Sequence, residues 1–191
     1  RGISFYICKY EVTQEIFQLI MGRNPSQFEG DKRPVENITM YEAMEFCNKL
    51  SEMVGLNCCY GSHDKCNFEA NGYRLPTIGE WIYAAKGGQR YKYSGSSSLD
   101  EVGWFIDNSG NETHPGGEKK PNGYGLYDMS GNVCEWVWAI GADKRHDFMT
   151  RDNCGGSFKS NSDSCKIDSC CTSYAVDRSG LVGFRLVRTA F

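Results

Sequence analysis

Two helix-like patterns of hydrophobic positions occur early in the chain. QEIFQLIM follows Thr13 and stops before Gly22, which predicts a short capped helix. A second helix is predicted to begin after Thr39, where Thr39 and Glu42 form a capping box. Its apolar positions recur at helical spacing and are Met40, Ala43, Met44, Cys47 and Leu50. We expect these side chains to face the core.

A third helix, WIYAAK, is predicted after the Thr77–Glu80 capping box, with its end at Gly87. FYICKYEV alternates like a strand, and two apolar patches around GSHD predict a hairpin. From Leu99 onward, turns such as NSGN, HPGG, KPNG and SGN dominate and no helical period returns. We find no repeat or linker, so residues 1–191 are interpreted as one loop-rich α+β domain with few short helices.

Composition and charge exclude two classes of partner. The formal net charge is -3 and no run of five Lys or Arg occurs, so nucleic acid and anionic membranes are not expected partners. No apolar run approaches the roughly 20 residues of a membrane-spanning helix. The sequence starts at Arg1 without a signal-like segment, so we expect any targeting or anchoring segment to lie upstream.

Ten cysteines are spaced irregularly along the chain. Zinc sites usually draw on C-x2-C pairs, and the three histidines do not stand at ligand spacing from the cysteines. We therefore expect disulfides or buried thiols instead of zinc. In an oxidising compartment the first candidate for a disulfide is Cys58 or Cys59 with Cys66, across the predicted hairpin.

Five ordered segments carry a family resemblance. They are FYICKYEVTQ, MGRNPSQFEGDKRPVENITMYEAMEFCNKL, NGYRLPTIGEWIYAAKGG, THPGGEKKPNGYGLYDMSGNVCEW, and GGSF with GFRLVR. Together they resemble the formylglycine-generating-enzyme-like (sulfatase-modifying factor) family along almost the whole chain. The resemblance implies the C-type lectin fold of the formylglycine-generating-enzyme type. Trp81, Trp136 and Phe184 are interpreted as core aromatics of this scaffold.

The resemblance also implies a structural calcium ion. Family members bind calcium at the positions that match Asp128, Gly131, Val133 and Glu135 in this sequence. Carboxylate and carbonyl oxygens are the ligands that Ca²⁺ prefers, and such an ion would brace the loops without doing chemistry. The alternative is that Asp128 caps a turn and Glu135 pairs with a nearby arginine.

Catalysis is where this chain departs from the family pattern. Catalytic members oxidise a substrate cysteine with a C-x4-C pair that follows the GGS segment and ligates copper. Here the second position is Cys165, but the first is Ser160, and a hydroxyl is a poor ligand for Cu(I). The EPN, QPD and WND tripeptides of calcium-dependent sugar binders are also absent. We expect no catalysis and no catalytic cofactor, with a formylglycine-generating-type oxidase as the alternative.

Residues 168–181, DSCCTSYAVDRSGL, form a stretch without Lys, Glu, Gln, Met or Trp. Asparagine codons randomised at their two adenines encode every residue of this stretch and none of those five types. Retroelement-diversified variable proteins of this family change template adenines in this way, and the chain is similar to them. We call residues 168–181 the codon-limited stretch. The alternative is a loop that is merely polar.

This interpretation predicts a variable ligand-binding segment at about residues 143–182, held by a frame of Gly155, Gly156, Phe184 and Arg185. The candidate ligand-binding residues are Arg145, His146, Asp147, Phe148, Ser160, Ser169, Cys171, Ser173, Tyr174, Asp177, Ser179, Gly180 and Leu181. We expect a receptor-like or adhesin-like domain at the cell surface or secreted, with diverse protein or cell-surface ligands. A structural or regulatory domain attached to an upstream segment is a third interpretation.

Overall fold

The computed structural model describes residues 4–61, 65–139 and 150–190. Its helices are α1 (Gln14–Met21), α2 (Met40–Met53), α3 (Ile78–Lys86) and α4 (Leu99–Val102). Its strands are β1 (Phe5–Ile7), β2 (Tyr73–Arg74), β3 (Cys134–Trp136), β4 (Thr150–Cys154), β5 (Cys170–Tyr174), β6 (Val182–Gly183) and β7 (Val187–Thr189). This is a mixed α+β architecture with few short helices, as the sequence predicts. In the part of the chain described, no helix has the length and apolarity needed to cross a bilayer.

The predicted helix ends are confirmed by their capping contacts. Thr39 and Thr77 each accept a hydrogen bond from the backbone N–H three residues on, at 3.1 and 3.2 Å. The glutamate at that third position accepts a hydrogen bond from the backbone N–H of the threonine in return, at 2.8 Å in both boxes. These reciprocal bonds satisfy amides that a helix start leaves without partners. Gly22 and Gly87 end α1 and α3 in the left-handed conformation.

Two secondary-structure elements, β1 and α4, differ from the sequence prediction. Strand β1 covers only Phe5–Ile7, because the rest of FYICKYEV leaves the ladder and crosses toward the start of α1. Leu99–Val102 forms a one-turn helix where no helical period was predicted. Four residues are too few to display a helical period in the sequence.

The strands form two sheets. The first is antiparallel, has the order β1-β7-β2, and brings the two ends of the chain together. The second has the order β5-β4-β3-β6, in which β3 and β6 are parallel and the other pairs antiparallel. Strand β5 lies at the edge of this second sheet, so one side of its backbone has no neighbouring strand within the described residues.

The core aromatics predicted from the sequence are confirmed. The exposed fraction is at most 1% for each of Trp81, Trp136 and Phe184. Phe184 packs edge-on against Phe17 and Phe46, which connect α1 to α2 in one core cluster. Trp81 belongs to a second cluster, which joins α3 to β4. The two clusters thus fix the helices against the second sheet.

The predicted hairpin disulfide is wrong. Cys66 pairs across an isolated bridge with Tyr60, and the thiols of Cys58, Cys59 and Cys66 are all unbonded. The register explains this result, because Tyr60 lies directly opposite Cys66. Neither Cys58 nor Cys59 is in that position. The Cys58 thiol turns instead to the carboxylate of Glu52. Residues 62–64 of the predicted tip lie outside the described residues.

Candidate ligand-binding surface

Strand β5 is attached to the domain by its ladder and by a disulfide. It pairs with β4 over five consecutive residues, from Cys154 opposite Cys170 to Thr150 opposite Tyr174. Cys154 and Cys170 form a disulfide with a sequence separation of 16, and both sulfurs lie at the second core cluster. A disulfide closing a loop of this size stabilises a fold by about 3 kcal/mol. The edge strand is therefore held in a defined position.

The residues of β5 and the turn after it present their side chains to solvent. The exposed positions are Cys171, Thr172, Tyr174, Val176, Asp177 and Arg178, and we call these six side chains the β5 surface. Tyr174 is 53% exposed and Val176 is 52% exposed. Ala175 between them is buried, and its carbonyl accepts a hydrogen bond from the Met40 N–H at 3.0 Å. The surface is thus anchored at its centre to the start of α2.

Arg178 ties the far end of the β5 surface to the same helix. Its guanidinium pairs with both carboxylate oxygens of Glu42 at 2.7 Å and donates to the Asn37 carbonyl at 3.2 Å. Glu42 also pairs with Arg23 and completes the α2 capping box. The turn is therefore held by the helix that is most clearly predicted from the sequence.

Three of the predicted ligand-binding residues face the surface directly: Cys171, Tyr174 and Asp177. Ser173 is half-buried and its hydroxyl accepts a hydrogen bond from the Asn153 side chain at 2.9 Å. Ser169 is also half-buried. The prediction omitted Thr172, Val176 and Arg178, although all three lie in the codon-limited stretch and carry the same compositional signal.

The last three predicted residues occupy supporting positions. The Ser179 carbonyl accepts hydrogen bonds from the N–H groups of Asn37 and Val182, at 2.9 and 3.2 Å. An added Cβ at Gly180 would lie 2.8 Å from the amide oxygen of Gln27, so the end of that flexible side chain would have to shift. Leu181 packs against the first core cluster. These contacts hold the short segment that connects the exposed turn to β6.

Ser160 lies in a turn, where its hydroxyl accepts a hydrogen bond from the Ser157 N–H at 2.9 Å. The other family cysteine position, Cys165, is fully buried, and this burial raises the pKa of its thiol to about 12. Burial thus disfavours the thiolate, which is the form of cysteine that acts as a nucleophile. Arg145, His146, Asp147 and Phe148, also predicted to bind ligand, lie outside the described residues.

Glu135 does not fit the implied calcium site. Its two carboxylate oxygens accept hydrogen bonds from Arg185 at 2.6–2.9 Å and from the Trp81 indole at 2.7 Å. A cation could bind this carboxylate only by competing with the buried charge of Arg185. One oxygen of Asp128 accepts a hydrogen bond from the Gly117 N–H at 2.8 Å, and the other is buried without a partner. The arginine alternative for Glu135 is the one that the structure supports.

The backbone N–H groups of Gly131 and Val133, between these carboxylates, are engaged within the protein, whereas a calcium ion would bind their carbonyl oxygens. The Gly131 N–H donates to the Gly155 carbonyl at 2.8 Å, and the Val133 N–H donates to Glu11 at 3.3 Å. Across the described ranges, no three His, Cys, Asp or Glu side chains are grouped as metal ligands. Glu135 is thus the one implied ligand whose oxygens are already occupied, by Arg185 and Trp81, and the calcium site at Asp128, Gly131, Val133 and Glu135 stays a prediction.

The sequence interpretation missed Glu11. This carboxylate is buried, accepts a hydrogen bond from the Asn132 side chain at 2.7 Å, and lies near Asp128, Glu135 and Arg185. Burial and the neighbouring carboxylates raise the pKa of Glu11 well above its usual value. Burial also raises the pKa of Asp128, to about 6. The only sequence signal for this group of buried charges was the glutamate at position 11, within an otherwise strand-like segment.

A model of the Sulfatase-modifying factor enzyme 1-like domain matches residues 3–190. The chain belongs to this family. Among solved structures, Treponema denticola variable protein 1 is similar with a TM-score of 0.90 and 34% identity, over 97% of this chain and 84% of that one. The predicted family and its C-type lectin fold are thereby confirmed.

Curated relatives in this family carry different names. Chaperone protein LppX of Paenibacillus barcinonensis is 42% identical over 173 residues, which cover 71% of this chain and 62% of that protein. Formylglycine-generating enzyme of Mycobacterium tuberculosis is 37% identical over 80 residues, which cover 35% of this chain and 27% of that protein. This chain thus spans less than two thirds of the length of these two relatives.

Proposed function

We propose that this domain is a ligand-binding, non-catalytic member of its family and that ligands bind at the β5 surface. One observation carries the proposal: the codon-limited stretch forms an edge strand and the turn after it, with seven of its fourteen residues exposed on a backbone held by the β4 ladder and a disulfide. A merely polar loop would be exposed as well, but it would not need a backbone fixed in this way. Similarity to Treponema denticola variable protein 1 over 97% of this chain supports the same function.

The scaffold under this surface suits such a role. Gly155 and Gly156 have φ of +97° and +71°, and an added Cβ at Gly156 would lie 2.7 Å from the Cys165 sulfur. Phe184 and Arg185 are fully buried. The four frame residues thus tolerate little change, whereas the exposed side chains on β5 can vary without disturbing the core. Varied side chains on rigid backbone are how recognition surfaces obtain diversity.

Tyr174 is the side chain that we expect to contribute most to binding. It stands in the middle of the β5 surface, is half exposed, and is the last residue of a strand held by five consecutive pairs. Tyrosine supplies a large contact area and a hydroxyl while losing little conformational entropy. Thr172 and Asp177 would supply adaptable polar contacts around it.

We also propose that a retroelement diversifies the segment at about residues 143–182 and that the domain is displayed at the cell surface or secreted. The Cys154–Cys170 disulfide is compatible with an oxidising compartment. The net charge of -3 favours protein or other cell-surface ligands over nucleic acid. The expected genomic signature is a nearby reverse-transcriptase gene and an adenine-rich near-copy of the codons for this segment. Absence of both from the complete genome would contradict diversification.

An activity assay separates the binding domain from an oxidase. The protein would be loaded with Cu(I) and incubated in air with a cysteine-containing peptide, whose mass is then followed. We expect no conversion of the cysteine to formylglycine, because Ser160 replaces one thiol and Cys165 is buried. Turnover that disappears in Cys165→Ser would overturn the non-catalytic proposal.

A further inference from the structure

The three-stranded sheet carries a cavity that is separate from the β5 surface. Its volume is about 350 Å³, within the range of about 300–1,000 Å³ that is typical of small-molecule sites. Each strand contributes a lining side chain, Tyr6 from β1, Tyr73 from β2 and Arg188 from β7. Leu186 completes an apolar part of the lining and is itself buried.

Strand register places these three side chains in one row. Arg188 on the central strand is opposite Tyr6 on one side and opposite Tyr73 on the other. Directly opposite residues of antiparallel strands project from the same face of a sheet. The guanidinium of Arg188 therefore stands between two tyrosine side chains, of which Tyr6 is 68% exposed and open to solvent.

Arg188, which is half-buried, differs from the buried Arg74 and Arg185 in having no acidic partner within the described residues. Arg74 on the neighbouring strand pairs with Glu80 at 2.7 Å, and Arg185 pairs with Glu135 at 2.6 Å. The Nε of Arg188 is buried without a hydrogen-bond partner. No carboxylate in the described ranges pairs with its guanidinium. A buried donor of this kind costs stability until an acceptor reaches it, and an anion is the strongest such acceptor.

The chemistry of the cavity favours a carboxylate over a phosphate. Among the described residues that line the cavity, Arg188 is the only cation, so a single negative charge matches it. Strand β7 is paired on both sides, and its amides are therefore not available as a nest for a multiply charged phosphate. A guanidinium also matches the planar geometry of a carboxylate through two parallel hydrogen bonds.

We propose that this cavity binds a small organic carboxylate, with its charge on Arg188 and its apolar body between Tyr6 and Tyr73. The site is independent of the β5 surface. No described residue of the β5 surface lines it, and the two sites are carried by different sheets. A failure of carboxylate binding at this cavity would therefore say nothing against ligand binding at the β5 surface, and the reverse also holds.

The test is a titration of the intact chain, followed by NMR at the Arg188 Nε–H resonance and by calorimetry. The probes are benzoate, phenylacetate and hexanoate, each with its neutral amide as the matched control. We expect at least one carboxylate to bind saturably, and about tenfold or more tightly than its amide. Absence of saturable binding by all three carboxylates, or equal binding of acid and amide, would overturn the proposal.

Variants locate the binding in this cavity. Arg188→Gln should weaken carboxylate binding about tenfold or more, and Arg188→Lys should recover only part of it, because lysine lacks the planar fork. Arg90→Gln, at an exposed arginine outside the cavity, should bind as the unmodified protein does.

If Arg188→Gln fails to fold, Tyr6→Ala replaces it, because Tyr6 is largely exposed and its loss should weaken binding without unfolding. Unchanged affinity in the folded variant, or tighter binding of phenyl phosphate than of any carboxylate, would contradict the assignment.

Discussion

Glu135 and Arg185 form a buried ion pair that connects β3 to the segment before β7. Three hydrogen bonds of 2.6–2.9 Å join them, and neither side chain is more than 1% exposed. Arg185 also donates to the carbonyls of Cys8 and Tyr127, so one guanidinium holds four parts of the chain. A DMSGNVCEW motif and a GFR motif, 50 residues apart, are thus two halves of one contact.

Breaking this pair should destabilise the domain strongly. Arg185→Met leaves the buried charge of Glu135 without its partner, and such losses typically cost 3–5 kcal/mol. The free energy of unfolding, measured by urea titration, checks this value. The matched control is Lys49→Gln, which removes an exposed i,i+4 pair with Glu45 and should cost less than about 0.5 kcal/mol. Equal effects of the two substitutions would contradict the role assigned to Arg185.

Asp128 should make the domain more stable in mild acid. Its pKa is raised from 3.8 to about 6 by burial, so the folded state binds a proton more tightly than the unfolded chain does. The resulting stability is fully present below pH 4 and is lost as the pH rises through about 6. The loss amounts to about 3 kcal/mol. Glu11, whose pKa is also raised, adds to the same trend.

Asp128→Asn should flatten this pH dependence, because asparagine stays neutral and tolerates the positive φ of 58°. Urea midpoints between pH 4 and pH 8 provide the measurement. Asp107→Asn, at an exposed position, is the control and should keep the profile of the unmodified protein. An Asp128→Asn profile as steep as that of the control would refute the assignment to Asp128.

The parts of the fold that were predictable are those with local causes. The capping boxes at Thr39 and Thr77 involve residues three positions apart, so the sequence displays both partners together. The Cys154–Cys170 disulfide depends on the register of β4 and β5, which no local pattern determines. For the same reason, the hairpin disulfide was wrongly predicted from proximity along the chain.

The candidate site was predicted only in outline. The restricted composition of residues 168–181 singled out a stretch that the structure places on the edge strand β5 and the turn after it, and ligand binding there stays a prediction. The composition could not separate outward residues such as Tyr174 from supporting ones such as Leu181, since burial follows from tertiary packing. An arginine partner for Glu135 was the alternative to calcium in the sequence analysis, and its identity as Arg185 required the fold.

Removal of the Cys154–Cys170 disulfide should loosen the base of the β5 surface. The double substitution to serine should lower the free energy of unfolding by about 2–4 kcal/mol, since the unfolded chain loses a cross-link. Thermal unfolding with and without a reductant measures the effect, and only the unmodified protein should respond to the reductant. Cys171→Ser, at an exposed unbonded thiol, is the control and should retain full stability. Peptide mapping under non-reducing conditions that found both thiols unbonded would contradict this pairing.

Gly156 should be the least tolerant position of the frame around the predicted variable segment. Gly156→Ala places a Cβ 2.7 Å from the Cys165 sulfur and 2.8 Å from the Ser164 carbonyl, at a φ of +71° that disfavours side chains. We expect a loss of about 2 kcal/mol or more, since left-handed strain and overpacking act together. Gly79→Ala is the control, because its Cβ meets nothing within 4 Å and alanine favours the first turn of α3. The control should gain stability, by about 0.5 kcal/mol. Equal stability of Gly156→Ala and the control in urea titrations would contradict the assignment of Gly156 to the rigid frame.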